Sequence, residues 1–370
     1  MAADEAQRLI EAGDAGQAGS TSRVRVGRGL AVPAEVELVV ADGRVLELHP
    51  DHPAANLTAP RVQVLGAEGT KSFAELERLL DACAAARLDR GARLLALGGG
   101  VTTDLAGLVA ALYMRGIAWV AVPTTLLAQV DASVGGKTAI NLAAGKNLAG
   151  AFHPPTEVLC DADFLATLPT LELRSGLGEV LKAALLGAQD EGTPLLDQLE
   201  AADPAALLAG DPGTFVPLVA ACVAHKADVV RADLREAGPR KALNLGHTFA
   251  HAIEHAAGFG RIPHGIAVAA GLHLSLGAAA RVGLLEDAQL VERTGRLATT
   301  LGLPGADSPL VDLERSFGVE LDRGALLAAM ALDKKGRAGV ARFVLPRGLG
   351  ATEFDVELEA SLVSELLAGA

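Results

Sequence analysis

Two textures of apolar and polar positions divide this chain. Through residues 23–165, short apolar runs recur, each closed by a polar or glycine-rich turn. The runs at 23–26, 36–40, 62–65, 94–97, 117–122 and 157–160 read as strands. After the run at 62–65, Ser72 precedes Phe73, Leu76, Leu79, Leu80 and Cys83 at helical spacing, with Glu75 at the capping-box position. Strand, polar turn and helix in repetition predict βα units, and right-handed crossovers place their strands in one parallel sheet. From Leu165 helical periodicity dominates to the end, with strand texture returning only at 341–345. The expected organisation is a loose tail or short helix over 1–22, an α/β domain over 23–165 and a mostly helical domain over 166–370.

Composition narrows this picture. Hydrophobic residues make up 50% of the 370 residues but aromatics only 3%, so the core is built of Leu, Val and Ala, which suits helices and buried parallel strands. The apolar stretch at 106–123 is broken by Arg115, Gly116 and Pro123, and the acidic N-terminal segment lacks a signal-peptide core; the expectation is a cytoplasmic protein without a membrane span. A net charge of -13 argues against a general nucleic-acid binder, while leaving room for an anionic substrate at a local cationic cluster. Cys83, Cys160 and Cys222 are scattered without metal-ligand spacing and read as buried apolar groups.

The stretch that organises the chain lies between residues 95 and 154. The strand at 94–97 runs into Gly98-Gly99-Gly100, followed by a small-residue helix behind Asp104. Glycines at a strand-to-helix turn let a ligand approach the backbone and expose N–H groups, although this triplet is not a GxGxxG fingerprint. Asp42 ends another strand, where an acid either binds a ribose or simply forms a turn. Thr124 and Thr125 close a strand and either cap the next helix or touch a cofactor. Asp131 sits in a nearly uncharged stretch and needs a partner if buried. Lys137 and Lys146 lie in glycine turns on either side of an apolar segment, with Asn147 adjacent; they are either solvated loop lysines or binders of an acidic, phosphorylated substrate. Arg115 is either a solvated helix-end cation or an anion ligand reaching a neighbouring site.

Histidines cluster late. Six of the nine lie between His225 and His273, and His247, His251 and His255 are spaced four apart on one helix face. There is no HExxH pattern, but two histidines with a distant carboxylate would make an open catalytic metal site. The expected ligands are His247, His264 and Glu179, with His251 left for hydrogen bonding or proton transfer and His255 for packing. Glu179 and Lys182 share a helix face at 171–186, and Lys226 lies on a helix at 217–234.

VPTTLLAQVDASVGGKTAIN, GKNLAGAFHPP, GEVLK, LNLGHTFAHAIE and PHG together resemble 3-dehydroquinate synthase over roughly residues 30–350. The resemblance implies a Rossmann-like NAD-binding α/β domain followed by a mostly helical metal domain, an active site in the cleft between them, and usually a homodimer. It implies conversion of a phosphorylated seven-carbon keto-acid sugar, 3-deoxy-D-arabino-heptulosonate 7-phosphate, to 3-dehydroquinate and phosphate in the shikimate pathway, with NAD and Zn2+ or Co2+. Metal ligation then falls on Glu179, His247 and His264. Substrate contacts fall on Asp131, Lys137, Asn147, Lys182, Lys226, Arg240, Asn244, His251 and Lys335, with Arg115 reaching the phosphate site across the dimer. Dinucleotide contacts fall on Asp42, Glu68, Lys71, Gly99, Gly100, Asp104, Thr124, Thr125, Lys137, Lys146 and Thr167.

Two positions depart from the family pattern. Ile266 stands where a glutamate commonly follows the His-Gly pair, and Thr103 where glycine commonly precedes the aspartate. Related readings are a cyclase for an amino analogue or for sedoheptulose 7-phosphate, and a metal-dependent polyol dehydrogenase that would release NADH.

Overall fold

The structure, a computed structural model, describes residues 8–13, 21–233, 238–332 and 341–370. The chain divides into two compact units. The first comprises residues 1–169 and 209–234, the second 170–208 and 235–370.

The first unit is built on a seven-stranded sheet. Its strands are β1 (Arg8–Gly13), β2 (Thr21–Gly27), β3 (Leu38–Asp42), β4 (Arg61–Val64), β5 (Arg93–Gly98), β6 (Ala118–Pro123) and β9 (Glu157–Asp161), in the order β1-β2-β9-β6-β5-β3-β4. All neighbours pair in parallel except β1 with β2. In the register Val39↔Leu95 and Leu95↔Val120, alternate residues Val39, Ala41, Leu95, Leu97, Val120, Val122 and Leu159 fall on one face and form a buried core with Phe164. Strand order reverses beside β3, since β4 lies outside it and β5, β6 and β9 continue on its other side. In such sheets the crevice beyond the carboxyl ends at the reversal is where ligands bind.

Between β6 and β9 the chain forms a hairpin of β7 (Lys137–Leu142) and β8 (Gly145–Phe152). The two lysine-bearing glycine turns expected there are thus the two ends of one hairpin. Ser72 caps the Phe73–Ala85 helix by accepting the Glu75 N–H. The helix after the glycine triplet spans Gly100–Leu112, beginning earlier than the expected start behind Asp104.

Two expectations about organisation are corrected. The segment 1–22 is not only tail, because Arg8–Gly13 pairs as an antiparallel edge strand with β2. The region 166–370 is not one domain, because the Pro212–Ala232 helix packs with β1 and β2 and belongs to the first unit. Arg231 ties the helix to β1 by donating to the Glu11 carbonyl at 2.7 Å. By length and composition this helix is apolar enough to cross a membrane, yet Phe215, Leu218, Val219 and Cys222 are buried within the fold.

The second unit is mostly helical, with helices including Thr170–Leu185, His247–Ala257, His264–Arg281, Gln289–Leu301 and Ala360–Gly369, and an antiparallel hairpin, Arg342–Gly348 with Ala351–Glu357. Its central contacts are backbone to backbone. A Cβ on Gly178 would stand 1.9 Å from the Gly265 carbonyl oxygen, and one on Gly265 would stand 1.7 Å from that of Ser175. Only glycine permits this approach of the Thr170–Leu185 and His264–Arg281 helices. Ser175 seals it by accepting the Gly265 N–H at 3.2 Å.

Candidate active site

The second unit holds a donor cluster centred on the buried Glu179. Glu179 lies one residue past the glycine contact on the Thr170–Leu185 helix, and His264 begins the facing helix. Gly246, at φ +78°, turns the chain into the helix that His247 opens. These constraints bring His247 Nε2 to 3.6 Å and His264 Nε2 to 3.4 Å from Glu179 Oε1. Among the described residues, this is the group of His, Cys, Asp and Glu whose donor atoms converge, all within 4.8 Å of one another. Donors about 2.0–2.1 Å from a tetrahedral ion sit about 3.4 Å apart, so the spacing fits a divalent metal.

The distal ring nitrogens are engaged in the way a metal site requires. His247 Nδ1 lies 3.2 Å from the Leu245 carbonyl, and His264 Nδ1 lies 3.0 Å from Glu254 Oε2. Each contact orients its ring so that Nε2 faces Glu179. Glu254 is 4% exposed, and sequence reasoning gave it no role. The available signal was a lone carboxylate seven residues after His247, two turns along the same helix face. It supplies a carboxylate beside His264 in a chain where Ile266, buried at 3% exposure, cannot.

Burial strongly shapes the charges. Desolvation, reinforced by Lys182, pushes His247 down to about 3, suiting a neutral ligand. Desolvation also opposes charge on His264, but hydrogen bonds with Glu179 and Glu254 outweigh it and raise it to about 10. Lys182 is itself buried, with Nζ 2.5 Å from Glu179 Oε2. The His251 ring lies 5.5 Å from that of His247 and stacks 6.1 Å from that of His264. Arg240, 2% exposed, and Asn244 occupy the Pro239–Asn244 turn just before the His247 helix. Lys335 lies outside the described residues.

The first unit holds its own polar network beyond the strand ends. Lys71, 4% exposed, places Nζ 2.6 Å from Asp104 Oδ2 and also donates to Asn147 Oδ1. Glu68 Oε1 is 3.9 Å from the same ammonium. Burial raises the Asp104 carboxyl above its ordinary range, against the pull of Lys71. Asp131 lies in a π-helical turn, Ala128–Ala132, and accepts Lys226 Nζ at 2.7 Å on Oδ1; the same ammonium donates to its carbonyl. The half-buried carboxylate is thus paired with a nearly buried cation.

Several of the other positions assigned to the dinucleotide lie at or just after the carboxyl ends of the parallel strands. Asp42 ends β3 and caps the next helix by accepting the Arg44 N–H at 3.0 Å. Gly99 caps the Gly100–Leu112 helix at the end of β5. Its first-turn N–H groups and the absent side chain suit an approaching phosphate. Thr103, where glycine is common, folds its hydroxyl back onto the Gly100 carbonyl at 3.2 Å. Thr124 is buried, and Thr125 caps the following turn through the Ala128 N–H. Thr167 Oγ1 meets His49 Nε2 at 2.6 Å. Lys137 is exposed at the start of β7, and Lys146 is half-buried in β8. Arg115 is exposed after the Gly100–Leu112 helix, at φ +68°, and lies outside both networks.

Comparison with known proteins agrees with this geometry. Residues 61–175 match the family described as 3-dehydroquinate synthase N-terminal, and residues 176–336 that described as 3-dehydroquinate synthase C-terminal. The chain is 46% identical over 318 residues to 3-dehydroquinate synthase of Rhodospirillum rubrum, covering 84% of this chain and 80% of that one. It is 42% identical over 361 residues to that of Paracoccus denitrificans, covering 93% and 95%. Among solved structures, 2-epi-5-epi-valiolone synthase from Streptomyces hygroscopicus subsp. jinggangensis, with NAD+ and Zn2+ bound, is similar with a TM-score of 0.78 at 31% identity, covering 90% and 89%.

Proposed function

Because the chain belongs to the 3-dehydroquinate synthase family, we propose that it converts 3-deoxy-D-arabino-heptulosonate 7-phosphate to 3-dehydroquinate and phosphate. The observation that carries this reading is the Glu179–His247–His264 cluster around a buried carboxylate, with Lys182 on the same carboxylate.

Glu179, His247 and His264 would hold a divalent ion, zinc or cobalt, which supplies positive charge to polarise a substrate hydroxyl. NAD, when bound, supplies a hydride acceptor and returns the hydride, so that oxidation, phosphate elimination, reduction, ring opening and intramolecular aldol closure leave no net redox change. The residues supply position and field. Lys137, Lys182, Lys226, Arg240 and Asn147 present donors to the carboxylate and phosphate ends of the substrate. Asp131 fixes the Lys226 ammonium, so that its charge is aimed before substrate arrives. His251 and Asn244 organise the proton taken during elimination, with the leaving phosphate as the base. Lys71 and Asp104, paired with each other, contact the dinucleotide. The homodimer belongs to the same proposal, with exposed Arg115 serving the partner's phosphate site.

The deciding experiment supplies purified, metal-loaded protein with the phosphorylated heptulosonate and catalytic NAD. Stoichiometric phosphate and 3-dehydroquinate without accumulated NADH are expected. A silent protein with intact metal and NAD binding would sink the proposal. Turnover only of an amino analogue or of sedoheptulose 7-phosphate would move it to a related cyclase.

A further inference from the structure

We propose that Asn141 is a positioning residue that ties the 68–71 turn to the β7–β8 hairpin end and thereby sets Lys71 and Asn147 for dinucleotide and substrate. The inference rests on the site reading given above.

Asn141 occupies the one place where the β7–β8 register shifts, between Ile140 and Leu142. An irregularity of this kind releases a residue from its ladder and re-aims it. Here the released backbone N–H donates to the Lys71 carbonyl at 2.8 Å. The side chain then bridges in two directions. Its Nδ2 donates to the Glu68 carbonyl at 3.2 Å and to Glu68 Oε1 at 2.7 Å, while its Oδ1 accepts the Asn147 N–H at 2.9 Å.

Asn147 needs that anchor. It sits at φ +54°, in the left-handed region that side chains seldom adopt. Its backbone is held by Asn141 and its Oδ1 by the Lys71 ammonium, which leaves Nδ2 as the end uncommitted to either. One residue thus touches three positions assigned to ligands, Glu68 and Asn147 through its side-chain amide and Lys71 through its backbone N–H, without being assigned to a ligand itself. The chemistry is exacting, because only a side chain carrying both a donor and an acceptor can face a carboxylate on one side and an N–H on the other. Aspartate at 141 would set a second carboxylate against Glu68, and alanine would satisfy neither partner.

The test uses the full chain, metal-loaded, as wild type, Asn141→Ala, Asn141→Asp, Glu68→Gln and the Glu68→Gln/Asn141→Asp double variant. Amide hydrogen exchange at Asn147, NAD affinity, and kcat and KM with the phosphorylated heptulosonate are read together. N141A is expected to speed exchange at Asn147 and weaken NAD binding, each by about tenfold or more. N141D is expected to cost about tenfold in kcat/KM alone but about threefold or less on top of E68Q, since the amide introduced at 68 can donate to the carboxylate introduced at 141. Exchange and NAD affinity within twofold of wild type in N141A would overturn the proposal. So would faster exchange with unchanged NAD affinity and turnover, which would make Asn141 a purely structural link. Should wild type fail to turn over this substrate, the functional reading falls, while exchange and NAD affinity still decide the role of Asn141.

Discussion

Glu254 Oε2 lies 3.0 Å from His264 Nδ1, so this imidazole has only its Nε2 edge to offer Glu179 and an ion. Removing such an orienting carboxylate typically costs about 10–100-fold in metal affinity. Glu254→Ala is therefore expected to lose that much in competition with a zinc chelator. Glu254→Gln, which keeps an acceptor oxygen, should lose less. Equal losses in both variants would assign the effect to charge rather than to orientation.

Asp131 and Lys226 should act as a unit. Asp131→Asn and Lys226→Gln are each expected to lower kcat/KM by about 100-fold, and the double variant by little more than either alone. The expectation follows from the 2.7 Å ion pair, because either change leaves the other charge misplaced. Multiplicative losses in a double-mutant cycle would show that the two serve separate ends of the substrate.

The glycine contact between helices gives a stability prediction. Gly265→Ala places a methyl group 1.7 Å from the Ser175 carbonyl oxygen. Overpacking against backbone should cost about 3 kcal/mol or more by urea denaturation and weaken metal binding with it. Gly348→Ala, where an added Cβ meets nothing within 4 Å, should change stability by less than about 0.5 kcal/mol. A benign Gly265→Ala would mean that the helices can part without losing the site.

His273 gives a pH prediction away from the metal. Burial holds its imidazole down at about 4, against the opposing influence of the Pro304 carbonyl, Asp307 and Asp312. An unfolded chain would protonate it near 6.5, so between these values the unfolded state binds more protons and stability falls as pH falls. The full loss is about 3 kcal/mol by pH 4, and none of it is present above about pH 7. His273→Leu should flatten the stability profile in this window. An unchanged slope would place the titration elsewhere.

Much of the arrangement was legible because glycines and strand ends announce themselves. Gly98 to Gly100, Thr124-Thr125 and Asp42 all follow apolar runs, and each stands at the carboxyl end of a parallel strand. The edge strand Arg8–Gly13 was not legible, because six residues of mixed polarity carry no clear alternation, and the pairing with β2 decides their conformation. The Pro212–Ala232 helix carried the right periodicity, but no local signal told which unit would bury it. Asn141 and Glu254 were missed for a related reason. Their roles come from partners that folding brings near, 73 residues away for Glu68 and 10 for His264.

The meeting of Gly178 and Gly265 gives the metal site the character of a template. Glu179 and His264 are spaced by that locked main chain, and His247 by the close approach of Gly246 and Gly271, so an arriving ion need not order the helices and recovers its full coordination energy as affinity. Stripping the ion should leave the far-UV circular dichroism spectrum unchanged, and zinc and cobalt should exchange through the same apoprotein without a refolding step. Which of the two occupies the site in a cell would then follow from supply rather than from shape.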